Sequence, residues 1–184
     1  MNDSDWYILF VRSQSEEKIV RAIKERLDIA DAQPFVPMSA KMFSRKNEAP
    51  NTKRIWEKEA RICFPGYVFI DTRKDAAEFS REIAPVVKRI DGVYKFLDYG
   101  DNGHAMVSKN ERLLLESLMD GDKFIDTSKG VWENGRIKIT EGPLVGLEKY
   151  IKKVNANKRT ALVEFELMGE AKLVTVVLEV VVGE

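Results

Sequence analysis

The chain has 184 residues, 44% of them hydrophobic and 33% charged, with a formal net charge of zero. That length allows one domain or two small ones, and the composition supports a packed core under a well-solvated surface. Zero net charge excludes a uniformly basic chain, so any attraction to nucleic acid must come from local clustering.

Trp6-Tyr7-Ile8-Leu9-Phe10-Val11 is aromatic and β-branched and predicts a buried first strand. Asp3 and Asp5 stand where a secretory leader would need basic residues, so no signal is expected. Ser13 or Ser15 offers a helix cap, with Glu16 and Glu17 favourably placed at the positive end. Ile19, Val20, Ile23 and Leu27 recur at helical spacing, and this strand–helix opening points to an α+β or α/β domain. Phe35-Val36-Pro37-Met38 predicts a short edge strand. From Lys41 to Arg61 the chain turns polar and basic, through Lys41, Arg45, Lys46, Lys53, Arg54, Lys58 and Arg61, with Pro50 and Asn51 marking a turn. An exposed hairpin or loop is predicted there, followed by a strand from Cys63 to Ile70. Cys63 is the only cysteine, so no intrachain disulfide forms and a reducing compartment suits the chain. Between Ile62 and Phe64 it reads as a small buried hydrophobe.

Asp75 opens a predicted helix to Ile83, ended by Pro85 because proline disfavours helical geometry just before it. Val93 to Leu97 predicts another strand, and Tyr99-Gly100-Asp101-Asn102-Gly103 a turn. Ser108 caps a helix carrying Leu113, Leu114, Leu115, Leu118 and Met119, with Glu111 completing a capping box. The polar stretch from Asp120 to Gly130 shows little periodicity and reads as a linker. Strand-like runs dominate beyond it: Arg136 to Thr140, Tyr150 to Val154, Ala161 to Leu167 and Leu173 to Val182. Short strands with Gly or Asn turns predict a small barrel. Its valine-rich end, Val174 to Val182, is broken by Glu179 and too short to span a bilayer. That β-branched density also disfavours helix.

Catalytic chemistry has no residues to carry it. His104 lacks a second His or Cys nearby for a metal site. Glu57 and Glu59 have no companion base, and no nucleophile triad or phosphate-cradling glycine loop occurs. No enzyme activity and no cofactor are expected. A binding role is better supported by the cluster Lys149, Lys152, Lys153, Asn155, Asn157, Lys158 and Arg159, with no acid between positions 149 and 159. Asn155-Ala156-Asn157 is a turn signal inside it. Lysines neutralise phosphates, while Asn and Arg read base edges or stack. A solvated barrel surface, or docking on an acidic protein, would use the same charges.

Two further stretches set the organisation: Phe64-Pro65-Gly66-Tyr67-Val68, and Gly142-Pro143-Leu144-Val145-Gly146 following the strand-like Arg136-Ile137-Lys138-Ile139-Thr140. With the opening Trp6-Tyr7, the helix, the basic insertion and a later Gly92-Val93, this order resembles the NusG family of bacterial transcription elongation factors. The second stretch is similar to the signature of a KOW domain. Within the family the chain most resembles the specialised LoaP-type antiterminators, because Lys149 replaces a second glycine and the basic run follows.

The resemblance implies an α+β chain of an N-terminal α/β sandwich domain over 1–120, a linker over 121–131 and an all-β KOW barrel over 132–184. It implies docking on RNA polymerase through Tyr7, Phe64, Pro65, Gly66 and Tyr67. Trp6 and Val68 fall instead to the core, because residues alternate along a strand. It places the basic hairpin near the upstream DNA fork, where Arg45, Lys46, Lys53 and Arg54 would attract non-template DNA and Trp56 or Phe43 would stack on an unpaired base. The KOW cluster would hold a hairpin in structured leader RNA. The implied protein is a cytoplasmic monomer with no membrane contact, acting as a processive antitermination factor. A housekeeping elongation factor whose KOW domain binds proteins, or a ribosome-associated RNA-binding protein, are the alternatives.

Overall fold

The structure, a computed structural model, describes residues 4–45, 55–98 and 105–181. By contacts the chain divides into two compact units. One comprises Met1–Pro37, Phe64–Leu114 and Glu166–Glu170, the other Met38–Cys63, Leu115–Phe165 and Ala171–Glu184.

The first unit is built on strands β1 (Asp5–Val11), β2 (Gln33–Phe35), β5 (Tyr67–Thr72) and β6 (Val93–Phe96), ordered β2-β5-β1-β6 and antiparallel throughout. Alternation along β1 sends Tyr7, Leu9 and Val11 to one face, where they pack with Ile19 and Ile23 of helix α1 (Glu16–Lys24) and with Phe79, Ile83 and Val87. The opposite face carries an aromatic cluster. Trp6 meets Phe35 and Phe69 edge-on at 5.1 and 6.0 Å, and its Nε1 donates to Asp71 at 3.0 Å. Trp6 and Val68 are fully buried.

Two local expectations change here. The stretch Cys63–Gly66 is a turn, and β5 begins only at Tyr67. Proline fixes its φ and removes a donor, and Gly66 has φ +85°, so neither residue extends a ladder. The helix predicted to stop at Pro85 instead continues: α2 (Ala76–Glu78), a π-helical turn (Phe79–Ile83), then α3 (Ala84–Val87) with Pro85 in its first turn. The Ala84 N–H donates five residues back to Phe79 C=O. The widened turn accommodates a residue that lacks an N–H. Asp75 caps α2 through a reciprocal box with Glu78.

Helix α4 (Lys109–Leu118) opens on the predicted box, with Ser108 N–H donating to Glu111 Oε2 at 3.0 Å and Glu111 N–H to Ser108 Oγ at 3.3 Å. Leu115 and Leu118 are buried, whereas Leu113 is exposed.

The second unit holds two sheets. Strands β3 (Met38–Arg45) and β4 (Ile55–Ile62) form the predicted hairpin, and β7 (Phe124–Ile125) adds in parallel to β3. The five-stranded sheet runs β10-β11-β12-β8-β9, from β8 (Ser128–Glu133), β9 (Arg136–Glu141), β10 (Ile151–Asn155), β11 (Thr160–Leu167) and β12 (Glu170–Val181). Strand β12 pairs in parallel with β8, which sets its first strand beside its last. Its inner residues Ile139, Leu144, Ala161, Val163, Phe165, Val176 and Leu178 are buried. The stretch 121–131 therefore carries β7 and the start of β8. The whole is a mixed α+β architecture, as the resemblance implies.

Candidate functional site

The Phe64–Tyr67 turn is held by three hydrogen bonds. Val11 N–H donates to Gly66 C=O at 2.8 Å, Tyr67 N–H to Phe64 C=O at 3.1 Å, and Gly66 N–H to Glu16 Oε1 at 2.6 Å. Of the five residues expected at a docking surface, Pro65 is exposed and Tyr67 half-buried, whereas Tyr7, Phe64 and Gly66 are buried. Tyr7 stacks on Phe79 with ring centroids 3.5 Å apart. Burial, then Asp5 and Asp75, push its phenol up to about 12, and its hydroxyl has no hydrogen-bond partner among the described residues.

What stands on the surface beside Tyr67 is a row that includes Phe10, a residue expected in the buried first strand. Tyr67, Phe10 and Lys95 are cross-strand neighbours on β5, β1 and β6. Phe10 is 40% exposed and Tyr94 59%, with Phe10 centroids 6.1 Å from Tyr67 and 5.4 Å from Tyr94. Arg12 closes the end of the row, held charged by its hydrogen bond with Tyr94 and by Asp91. A recess beside it is lined by Phe10, Tyr67, Lys95, Leu97, Leu167 and Met168. A strand reading can find such a row only by counting alternation: Trp6, Ile8 and Phe10 share one face, and only its end is uncovered.

The hairpin is less basic in effect than in composition. Lys41 pairs with Glu59 at 2.9 Å, Arg45 with Glu57 at 3.3 Å, and Lys58 with Asp126. Lys46, Lys53 and Arg54, with the predicted turn at Pro50 and Asn51, lie outside the described residues. Phe43 and Trp56 are half-buried, and the Trp56 ring is covered by the Arg159 guanidinium at 4.7 Å.

In the basic cluster of the second unit, the members divide. Lys152 pairs with Glu164 at 2.8 Å, and Arg159, in the left-handed region at φ +53°, pairs with Glu179 at 2.9 Å. Asn155 Oδ1 accepts from the Lys158 N–H at 3.0 Å and so caps the 3-10 turn Ala156–Lys158. Lys149 lies over the Tyr150 ring at 4.9 Å. Lys153, Asn157 and Lys158 are exposed, and neither lysine forms an ion pair among the described residues. The free positive charge is thus concentrated on edge strand β10 and the turn after it.

The Gly142–Gly146 turn does different work. Gly142 sits at φ +93°, and a Cβ there would lie 2.6 Å from Thr127 O and 2.7 Å from Ser128 Cα. Leu144 is fully buried, and its N–H donates to the Oγ of buried Ser128 at 3.1 Å. Val145 alone points out, 54% exposed.

Cys63 is buried, and that burial pushes its thiol up to about 11 against smaller opposing effects of Ser39 and Arg61, so it is a protonated, unreactive thiol at neutral pH. Among the described residues no group of three His, Cys, Asp or Glu side chains is placed to hold a metal ion. His104 lies outside them, as does the predicted turn at 99–103. No described helix is long and apolar enough to cross a membrane.

A family model described as transcription termination factor nusG matches residues 4–116. The chain finds no match among curated protein sequences. A solved structure described as domain interaction in Thermotoga maritima NusG superposes with a TM-score of 0.52 at 17% identity, covering 96% of this chain and 93% of that one. At that identity the likeness is one of fold.

Proposed function

This chain belongs to the NusG family of transcription factors, and from that membership we propose that it is a specialised processive antitermination and elongation factor of the LoaP kind. The family binds RNA polymerase. In this reading residues 1–120 dock on the polymerase, 121–131 connect, and the KOW barrel over 132–184 holds a hairpin of the nascent leader RNA. Pro65 and Tyr67 offer the docking contact, since aromatic side chains supply large area at low entropic cost. In the same reading Arg45, exposed beside Glu57, would attract non-template DNA, and Trp56 would stack on an unpaired base in exchange for the Arg159 guanidinium. The protein acts in the cytoplasm as a monomer.

The observation that carries the RNA reading is the exposed trio Lys149, Lys153 and Lys158, free of ion pairs among the described residues. Lys149 in the 3-10 turn before β10, Lys153 on β10 and Lys158 in the 3-10 turn after it offer three cations for phosphate contacts. The test is binding of the purified chain to RNA hairpins from its own upstream leader regions at two salt concentrations. A K149Q/K153Q/K158Q variant serves as control. Selective binding that the variant loses is expected. Weak binding that ignores sequence and vanishes with salt overturns the reading.

A second reading has its own support. Lys152 and Arg159 are neutralised by Glu164 and Glu179, while Trp132, Val145 and Leu173 stand more than half exposed on the same unit. With those two cations neutralised, these apolar side chains offer contact area to a protein partner, as in a housekeeping factor.

A further inference from the structure

Glu16 is a charged residue with only 1% of its surface exposed, in the first turn of α1. Burying a carboxylate is costly unless hydrogen bonds replace its water. The replacement here is the N–H of Gly66, fifty positions away, at 2.6 Å. A hydrogen bond to an ionised acceptor is the stronger kind, and the positive end of α1 adds to the favourable field.

The geometry around Gly66 gives that bond a purpose. Its carbonyl is gripped by the Val11 N–H at 2.8 Å, so the Gly66 residue is held by β1 on one side and by Glu16 on the other. The residues on either side are the exposed Pro65 and the half-buried Tyr67, whose ring leads the row with Phe10. Phe10 Cε2 itself lies 3.6 Å from the Cβ position of Gly66. A shift of this one residue therefore moves both the turn and the ring row. Ser15, at the N-cap of α1, makes no side-chain cap bond, so the first turn of the helix directs its carboxylate to the Gly66 turn and not to its own start.

We infer that Glu16 is a positioning residue for polymerase docking: it fixes the Gly66 residue so that Pro65, Tyr67 and Phe10 present one surface, without touching the polymerase itself. The inference rests on the docking reading above. Its test measures the affinity of the full chain for core RNA polymerase in wild type, E16L, E16Q and Y67A, at a temperature where each is folded. Amide exchange at Gly66 is followed by NMR in the same set. Expected is E16L binding about tenfold weaker or more, the scale of one lost charge-assisted hydrogen bond, with faster exchange at Gly66. E16Q, which keeps a neutral oxygen acceptor, should fall between E16L and wild type in both readouts. Y67A should bind weakly with Gly66 still protected.

Wild-type affinity in E16L beside a weak Y67A overturns the positioning role and leaves the docking reading standing. Wild-type affinity in both overturns the docking reading, and the inference with it. Where E16L lacks a cooperative melting transition, E16Q decides: faster Gly66 exchange with weakened affinity supports the role, and faster exchange with wild-type affinity overturns it.

Discussion

The chain's two glycine–proline turns look alike in sequence and are held in opposite ways. At Gly66 a Cβ would meet Val11 O at 3.5 Å and a phenylalanine ring edge at 3.6 Å, ordinary contact distances, and the turn is fixed from outside by a carboxylate. At Gly142 the backbone of Thr127 and Ser128 leaves no room, and the turn drives Leu144 into the barrel interior. The difference teaches that the same residue types serve either display or closure. Crowding at the Cβ position distinguishes the two, whereas positive φ is common to both.

G142A is the harshest test of that contrast. It combines a forbidden φ with contacts that only backbone movement relieves, and should lower stability by on the order of 4–5 kcal/mol in chemical denaturation. L144A follows, at about 2–5 kcal/mol for a buried leucine whose cavity cannot fully collapse. G66A meets the unfavourable φ without the clash and should cost about 1–2 kcal/mol; a loss as large as that of G142A would erase the distinction. Two buried hydroxyls, one in each unit, give smaller effects. S128A strands the buried Leu144 N–H and should cost about 1–3 kcal/mol. Y7F removes a hydroxyl that has no partner among the described residues and should leave stability unchanged or raised.

Tyr7 also sets a pH signature. Its phenol ionises near 10 when unfolded and near 12 when folded, so the folded state keeps the proton that the unfolded state releases. Stability should therefore decline as pH rises from 10 toward 12, and that decline should be shallower in Y7F when denaturation midpoints are followed by circular dichroism.

Local patterns were readable because their causes are local. The Ser108–Glu111 box, the Asp75 start and the 2-residue alternation of the C-terminal strands depend on neighbours within a few positions. The misreadings have long-range or conformational causes. Aromatic and β-branched propensity carried the predicted strand back to Cys63, although Pro65 and Gly66 cannot join a ladder. The sign of charge in the basic cluster was legible, but Glu164 and Glu179, which neutralise part of it, come from neighbouring strands. Tyr7 and Phe64 drew attention as large aromatics, and only three-dimensional packing puts them inside and Phe10 outside.

The widened helical turn at Phe79–Ile83 has a geometric consequence for the whole of that segment. Four residues of regular α-helix overshoot a full turn by about 40°, so a column at every fourth position drifts off its face. Phe79, Ile83 and Val87 are such a column, and all three are buried. The extra residue in the π turn absorbs the surplus rotation and returns the column to the sheet. It acts as a vernier, letting a short, proline-bearing helix stay in phase with a flat row of core positions.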